Sequence, residues 1–375
     1  MYSIFLIEKL NKFLCAQKIL VFPLSNLHEI SLPKKFVIGV DVIEKASEYI
    51  LAVIPCSKAL IVTGSGDTLK YARIVSDDLR EAGVETWIIS VKSSTMEEVD
   101  RVVKVAQETG AEAFIGVGGG KAIDVAKYAS HMVEKPFVSV PTAPSHDGIA
   151  SPFASIKNSG RVTSVKASTP VLVIADVSVM AKAPRRNIIA GCGDLIGKFS
   201  AVLDWRLAHR LKGEYYGDYA ASLSLLSAKH IVKYSEMFSA RQIPLEAVRV
   251  LVEALISSGI AMAIAGSTRP ASGSEHLIAH AIDVVANFPA LHGEEVGIGS
   301  LIALYLHGKN WRSIRRILSE MGAPTKISQI NVSREQMVKA LTIAHTIRPE
   351  RYTILGEKGF SEEAAERIID VLELD

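Results

Sequence analysis

The first half of the chain alternates short, continuously apolar runs with amphipathic helical patterns. The apolar runs predict strands at residues 36–40, 59–63, 86–91, 113–117, 137–141 and 171–175. Helical patterns separate the earlier strands, at residues 42–53, 68–81, 96–109 and 122–132. Continuous apolar strands that alternate with helices are typical of a parallel sheet covered on both faces. The pattern therefore predicts an α/β domain built on a parallel sheet.

Beyond residue 178 the strand signals stop and helical patterns dominate. They cover residues 194–211, 219–236, 245–266, 276–285 and 296–307, and three shorter helices follow Trp311. We predict an α/β domain over residues 31–178 and an all-helical domain over residues 179–375. We expect the active site in the cleft between them, because α/β domains bind ligands at the carboxyl ends of their strands. Residues 1–30 are expected to be an N-terminal extension, either native or read from an upstream start codon.

The composition excludes several classes of protein. The 375 residues are 49% hydrophobic, which suits a globular chain and not a disordered one. A net charge of +2 without a dominant basic stretch argues against a nucleic-acid partner. No run reaches the ~18 uncharged apolar residues of a membrane span, and the N-terminus lacks a signal-peptide layout. We therefore expect a cytoplasmic protein. Cys15, Cys56 and Cys192 are too scattered for a disulfide framework.

Three of the ten histidines fall close together, at positions 276, 280 and 292. His276 and His280 are four residues apart and would share one helix face. With Asp194, which follows a glycine at the start of another helical run, they offer a carboxylate and imidazoles. Such a set suits a catalytic zinc ion that keeps one position open. Hydrogen-bonded core histidines are the alternative, and spacing does not decide which histidine binds. Cys192 is a less favoured ligand.

Three consecutive glycines, Gly118 to Gly120, join a predicted strand to a predicted helix. Glycine lets a backbone approach a bound group closely and adopt positive φ. The following helix N-terminus presents free N–H groups and a positive dipole to a pyrophosphate. A plain tight turn is the alternative, because the loop matches neither standard dinucleotide nor P-loop signature. The loop at residues 64–67 is a weaker second signal of the same kind.

The residues after the strand at 86–91 bear on the choice of cofactor. A carboxylate at the end of the second strand would select NAD by bonding the ribose 2′-hydroxyl. Here the strand is followed by Lys92, Ser93 and Ser94, which can tolerate a 2′-phosphate. We therefore expect both NAD(H) and NADP(H) to bind. An ordinary solvated loop is the alternative.

Taken together, four motifs resemble one enzyme superfamily. They are Gly-Gly-Gly-Lys-Ala-Ile-Asp at residues 118–124, Pro-Thr-Ala-Pro-Ser-His-Asp-Gly at 141–148, Gly-Cys-Gly-Asp at 191–194, and the histidines followed by His-Gly-Glu at 292–294. The superfamily contains glycerol dehydrogenase, iron-dependent alcohol dehydrogenases and 3-dehydroquinate synthase. Within it the chain most resembles the archaeal-type sn-glycerol-1-phosphate dehydrogenases, over roughly residues 33–375.

The resemblance assigns roles to both predicted domains and to particular residues. It implies that residues 31–178 form the NAD(P)-binding domain and residues 179–375 the metal-binding and catalytic domain. It implies that one zinc ion per subunit is bound by Asp194, His276 and His292. It implies substrate contacts by Asp147, Asp194 and His280, of which Asp147 and His280 are candidate catalytic residues. With the glycine loop it implies cofactor contacts at Gly118, Gly119, Gly120, Lys121, Ala122, Ile123, Asp124, Thr142, Ala143, Pro144, Ser145 and Ser151. Lys198, one helical turn beyond Asp194, is our own candidate for the substrate phosphate, with a structural or solvated lysine as the alternative.

The implied reaction is the reversible NAD(P)H-dependent reduction of dihydroxyacetone phosphate to sn-glycerol 1-phosphate, which supplies the backbone of archaeal-type phospholipids. Zinc would polarise the ketone, and His280 or a water relay would deliver the proton. A glycerol or polyol dehydrogenase, a dehydroquinate-synthase-like lyase and a non-catalytic nucleotide-binding protein are alternatives. The complete set of metal-ligand residue types argues against the last. We expect a small phosphorylated substrate as partner, and a homo-oligomer.

Overall fold

A six-stranded parallel sheet organises the first half of the chain, as predicted. The computed structural model describes residues 28–158 and 161–375, so the expected N-terminal extension lies almost wholly outside the described residues. The strands are β1 (Lys35–Gly39), β2 (Lys58–Gly64), β3 (Glu85–Val91), β4 (Ala113–Gly118), β5 (Phe137–Pro141) and β8 (Leu172–Asp176). Their order in the sheet is β1-β8-β5-β4-β2-β3, with every pairing parallel.

Helices cover both faces of this sheet. They are α1 (Ala46–Leu51), preceded by a 3-10 turn at Val42–Lys45, α2 (Leu69–Glu81), α3 (Met96–Thr109), α4 (Gly120–Met132) and the short α5 (Val177–Met180). Ile61 and Ile115 pack with α1 and α2 on one face, while Leu60 and Phe114 pack with α3 and α4 on the other. Both faces are apolar because both are buried, which explains why the strands read as continuous apolar runs.

The order of the strands reverses between β2 and β4. The chain passes from β2 to β3 on one side and then returns to place β4 on the other side of β2. In open α/β sheets ligands bind at such a reversal, outside the carboxyl ends of the strands. Gly64 and Gly118 end these two strands, and a Cβ on Gly118 would lie 3.5 Å from the Gly64 nitrogen. The two glycine loops identified in the sequence therefore lie side by side.

The structure contains an antiparallel hairpin that the sequence pattern did not predict. Its strands are β6 (Phe153–Asn158) and β7 (Arg161–Lys166). Ala154 and Ile156 are buried, while the intervening Ser155 is exposed. This alternation with a period of two is the signal of a strand with one buried face. The sequence pattern did not predict it because only two of its apolar residues, Ala154 and Ile156, are fully buried, whereas the parallel strands carry longer apolar runs.

The rest of the chain is helical. Its helices are α6 (Arg185–Ile196), α7 (Lys198–Lys212), α8 (Asp218–Lys233), α9 (Ser235–Ser239), α10 (Leu245–Ala265), α11 (Ser274–Ala286), α12 (His292–Leu306), α13 (Trp311–Met321), α14 (Arg334–Ile343) and α15 (Glu362–Val371). The single helix predicted over residues 194–211 is wrong in its bounds. Residues 194–211 cover the end of α6 and nearly all of α7, which meet at Gly197. Asp194 therefore lies near the end of one helix and Lys198 begins the next.

One helix, α10, is long and apolar enough to cross a membrane, although the sequence pattern predicted no such segment. Of its most apolar 18-residue stretch, 67% is buried inside the protein. Leu251, Val252 and Leu255 belong to the apolar core of the helical part. Burial against neighbouring helices accounts for its composition, because a helix that is apolar all round needs apolar surroundings.

Glycines allow α6 and α12 to touch through their backbones. A Cβ on Gly293 would lie 1.8 Å from the Ala190 carbonyl oxygen, and one on Gly193 would lie 2.1 Å from the Gly293 carbonyl oxygen. On Gly191 a Cβ would lie 1.9 Å from the carbonyl oxygen of Pro144, in the segment after β5. The backbones that carry Asp194 and His292 are therefore positioned by contacts that only glycine permits.

We predict that Gly293→Ala destabilises the protein by about 1–3 kcal/mol, the usual cost of overpacking. Gly297→Ala in the same helix is the matched control, because its Cβ would meet atoms no closer than 3.9 Å. That control should change the free energy of unfolding by less than about 1 kcal/mol. Chemical denaturation of both variants measures this, and equal stabilities would contradict the packing described here.

Candidate metal centre and active site

Three helices bring Asp194, His276 and His292 together. Asp194 lies near the end of α6, His276 in the first turn of α11, and His292 is the first residue of α12. One potential ligand atom from each lies within 4.8 Å of the others, and the rings of His276 and His292 have centroids 5.0 Å apart. Asp194 and His276 are buried, and His292 is partly buried. Residues separated by almost 100 positions thus share one point at the base of a cleft.

The hydrogen bonds around these residues suit a metal ligand set. His276 Nδ1 lies 2.9 Å from Glu275 Oε1, so it can donate a proton there and leave Nε2 free, 3.5 Å from Asp194 Oδ1. Glu275 is itself fixed by Ser200 Oγ at 2.7 Å. A carboxylate that orients a histidine in this way is typical of zinc sites.

The charge state of His292 also suits metal binding. Burial, followed by the neighbouring His276 and His280, lowers the pKa of His292 well below its usual value. A neutral imidazole offers the lone pair that a metal requires. One carboxylate and two imidazoles leave a fourth tetrahedral position open, so the donor set fits a catalytic divalent ion.

His280 lies beside this set, one helical turn beyond His276. Its ring stacks on His292 with centroids 5.5 Å apart. Its buried Nδ1 has no hydrogen-bond partner among residues 28–158 and 161–375, and the nearest carboxylate oxygen, on Asp283, is 3.5 Å away. Burial, then Arg348, His276 and Arg351, lower the pKa of His280 well below its usual value. His280 is therefore a neutral group bordering the cleft.

Lys198 lies at the centre of a buried charge network. Its Nζ is 2.8 Å from Asp147 Oδ2 and 3.2 Å from Asp194 Oδ1. Ser258 Oγ donates a further hydrogen bond to Asp147 Oδ2 at 2.7 Å. Burial alone would lower the pKa of Lys198, but the two carboxylates outweigh it and raise that pKa. The lysine is fully buried, which argues against our expectation that it contacts the substrate phosphate, because its charge already faces carboxylates.

The same network keeps Asp194 ionised. Burial opposes ionisation of this carboxyl, but Lys198 and the imidazoles of His276 and His292 outweigh burial and hold its pKa below the usual range. The backbone N–H of Asp147 donates to Asp194 Oδ2 at 3.1 Å. An ionised carboxylate with a fixed orientation is what a metal ligand requires.

The glycine loop opens α4 beside the segment that follows β5. Thr142 N–H donates to the Gly118 carbonyl at 3.0 Å, which brings the two expected cofactor segments together. Of the three glycines only Gly118 has a positive φ, at 154°. A Cβ on Gly119 would meet nothing within 4 Å, so the space above the helix N-terminus is open. The side chains of Ala122 and Ile123 are buried in the core, so only their backbones are available to a cofactor.

Lys92 is exposed at the end of β3, and its backbone N–H donates to Glu98 Oε1 at 2.9 Å. Ser94 is buried, and its carbonyl accepts a hydrogen bond from Lys157 N–H at 2.7 Å. Lys92 is thus the most exposed of the three residues, Ser93 is partly buried, and Ser94 is withdrawn from the surface. Cys192, the less favoured metal ligand, is buried in the apolar core of the helical part.

Both halves of the chain line the cleft around the candidate metal site. The sheet half contributes Asp124, His146, Asp147, Gly148, Ser151, Phe153, Ser155 and Ser164. The helical half contributes Asp194, Met262, Thr268, Ala271, Ser272, His276, His280 and His292. Lys127 Nζ fixes the floor by donating to the Gly148 and Phe153 carbonyls at 2.6 and 2.7 Å. A ligand in this cleft would touch the metal donors and the segment after β5 at once.

His146 is a cleft residue to which the sequence pattern assigned no role. Its Nδ1 accepts a hydrogen bond from Gly148 N–H at 3.0 Å. A Cβ on Gly120 would lie 2.3 Å from its Nε2, so this glycine makes room for the imidazole. The histidine stands inside the 141–148 motif, which was the available signal. Sequence spacing could not show it because its neighbour Gly120 is 26 positions away.

We predict that His276→Ala or His292→Ala removes most of the bound metal, since each would delete one of three protein ligands. His131→Ala, an exposed histidine at the end of α4, is the control and should keep the wild-type metal content. Elemental analysis of each protein after dialysis against metal-free buffer makes the comparison. Wild-type stoichiometry in both ligand variants would show that the site is wrongly assigned.

Comparison with known proteins gives close relatives. The iron-containing alcohol dehydrogenase family model matches residues 37–184. Glycerol-1-phosphate dehydrogenase [NAD(P)+] from Sulfurisphaera tokodaii is 52% identical over 91% of this chain and 96% of its own. The enzyme of the same name from Aeropyrum pernix is 51% identical over 92% of this chain and 97% of its own.

Solved structures share the fold at lower identity. Glycerol dehydrogenase from Schizosaccharomyces pombe superposes with a TM-score of 0.77 at 21% identity, covering 93% of this chain and 91% of its own. A probable glycerol dehydrogenase from Sinorhizobium meliloti gives 0.74 at 22% identity, covering 92% and 98%. A parallel sheet followed by a helical part is therefore an architecture already known among dehydrogenases.

Proposed function

Because this chain belongs to the family of glycerol-1-phosphate dehydrogenases, we infer that it catalyses the reversible NAD(P)H-dependent reduction of dihydroxyacetone phosphate to sn-glycerol 1-phosphate. The observation that carries this inference is the cleft itself. A carboxylate and two imidazoles, with ligand atoms within 4.8 Å of one another, line this cleft. The segment that follows β5 lines the same cleft. Such a cleft suits hydride transfer to a ketone held beside a metal.

When bound, the nicotinamide cofactor supplies the hydride and the divalent metal polarises the ketone oxygen. Asp194, His276 and His292 would hold the metal, and we propose zinc, one ion per subunit. Lys198 keeps Asp194 ionised and holds Asp147 and Asp194 in place between the two halves of the chain. We propose that Asp147 contacts the substrate from the sheet side of the cleft, opposite the helices that carry the histidines.

His280 is the candidate for handling the proton. It is neutral, borders the same cleft and keeps a buried Nδ1 without a hydrogen-bond partner in the described part of the chain. A neutral imidazole can accept a hydrogen bond from a substrate hydroxyl or pass a proton between that group and water. We therefore propose that His280 orients the substrate and relays its proton.

For the cofactor we propose that the N-terminus of α4 binds the pyrophosphate and that residues 142–145 with Ser151 contact the nicotinamide side. The open space above Gly119 and the reversal of strand order between β2 and β4 support this. Lys92 would accept a 2′-phosphate, in keeping with use of both NAD(H) and NADP(H). We further propose a domain boundary near residue 178, a homo-oligomer, a cytoplasmic location and a role in making the glycerophosphate backbone of membrane lipids.

An assay of the purified chain tests the reaction. We expect the oxidation of NADH or NADPH to accompany the reduction of dihydroxyacetone phosphate in equal amounts. A chelator should abolish this activity, and added zinc should restore it. Faster oxidation of glycerol than of glycerol 1-phosphate would instead indicate a polyol dehydrogenase. Turnover of a substrate without net change in the nicotinamide would indicate a lyase.

A second prediction separates substrate handling from metal binding. His280→Ala should keep the metal and the folded stability, yet lose kcat/KM for dihydroxyacetone phosphate by ~10²-fold or more, the scale of a positioned proton-transfer group. Metal analysis and steady-state kinetics on one preparation measure both, with His131→Ala as the control. Loss of the metal would make His280 a ligand. Unchanged kinetics with the metal retained would leave it a structural residue.

A further inference from the structure

Two arginines stand on a turn that follows α14 and borders the cleft. Arg351 N–H donates to the Arg348 carbonyl at 2.9 Å, which closes the turn. Arg348 Nη2 donates to Ser164 Oγ at 2.8 Å. Arg351 donates to the Ser272 carbonyl and to Thr268 Oγ1, both at 2.6 Å. Each guanidinium is therefore held by neutral groups that leave its charge available.

The partners of these arginines all line the cleft that contains the candidate metal site. Ser164 comes from the β6–β7 hairpin, and Thr268 and Ser272 come from the segment before α11. Both guanidinium groups are thus anchored by hydrogen bonds to the wall of the cleft in which the substrate would bind.

Neither arginine forms an ion pair within 4 Å with any carboxylate of the described ranges. The nearby Arg269 shows the contrast, because its guanidinium makes a two-point ion pair with Glu214. Burial, then repulsion from Arg348 and Arg269, lowers the pKa of Arg351 to about 9, and the carboxylates of Glu214 and Glu275 offset this only in part. Holding two partly buried like charges together without an anion is unfavourable. An anionic ligand in the cleft would relieve this cost.

We propose that Arg348 and Arg351 bind the phosphate group of the substrate and so select a phosphorylated triose over an unphosphorylated one. Guanidinium groups match phosphate oxygens with two parallel hydrogen bonds, which favours arginine at such sites. This proposal rests on the proposed function. In it the two arginines take the place of Lys198 as the contact for the substrate phosphate. Lys198 has two carboxylates within 3.2 Å, whereas neither arginine forms an ion pair within 4 Å in the described part of the chain.

The decisive experiment compares substrates with and without the phosphate. Arg348→Gln and Arg351→Gln should each lower the ratio of kcat/KM for dihydroxyacetone phosphate to kcat/KM for dihydroxyacetone by roughly 10- to 100-fold, the range for a hydrogen bond to a charged group. Arg348→Lys and Arg351→Lys should keep part of this selectivity, because lysine retains the positive charge but not the two parallel hydrogen bonds of a guanidinium group. Arg316→Gln, an exposed residue of α13 whose Nε lies 3.7 Å from Glu320, should leave the ratio unchanged.

Inorganic phosphate gives a readout that is independent of turnover. Titration calorimetry should show phosphate binding to the wild-type protein and weaker binding to both glutamine variants, whose folding is checked by thermal unfolding. A rise in KM for NADPH in place of the loss in selectivity would assign the arginines to the cofactor and overturn the proposal. Unchanged selectivity together with unchanged phosphate affinity in both glutamine variants would also overturn the proposal. A wild-type protein that does not reduce dihydroxyacetone phosphate would refute the proposed function, while the phosphate titration still decides on the arginines.

Discussion

The buried ammonium of Lys198 is the interaction on which the site depends. It joins Asp147, in the segment after β5, to Asp194, near the end of α6. Removing three charges from water is costly, and the attraction between them offsets this only when further hydrogen bonds satisfy the remaining atoms. Ser258 Oγ supplies one to Asp147, and the Asp147 N–H supplies one to Asp194. The network therefore fixes the distance between the sheet edge and the helices that carry the metal ligands.

Most of the fold could be predicted because its signals are local. The strands of the sheet are buried on both faces, so each appears as an apolar run, and α3 and β5 have the predicted bounds. The β6–β7 hairpin was missed because only Ala154 and Ile156 mark its buried face. The break at Gly197 was missed because the helical pattern continues through it, although the backbone starts a new helix there.

The candidate site was less accessible to sequence because its geometry is not local. Residue types and the resemblance pointed to Asp194, His276 and His292, and the structure brings a ligand atom of each within 4.8 Å of the others. Lys198 shows the limit of such reasoning. Its spacing from Asp194 suggested a free charge near the substrate, but Asp147, 51 positions earlier, neutralises it. Arg348 and Arg351 resemble ordinary surface charges in sequence, and only the fold brings them to the wall of the cleft.

Anomalous diffraction from a zinc-loaded crystal tests the central claim most directly, namely that one metal is held where the sheet edge meets the helices. We predict a single strong peak about 2.0–2.2 Å from a carboxylate oxygen of Asp194 and from one ring nitrogen of each of His276 and His292. Lys198 should remain between Asp147 and Asp194 in that crystal. A principal peak elsewhere, or a peak ligated by His280 in place of one of the three, would contradict the account.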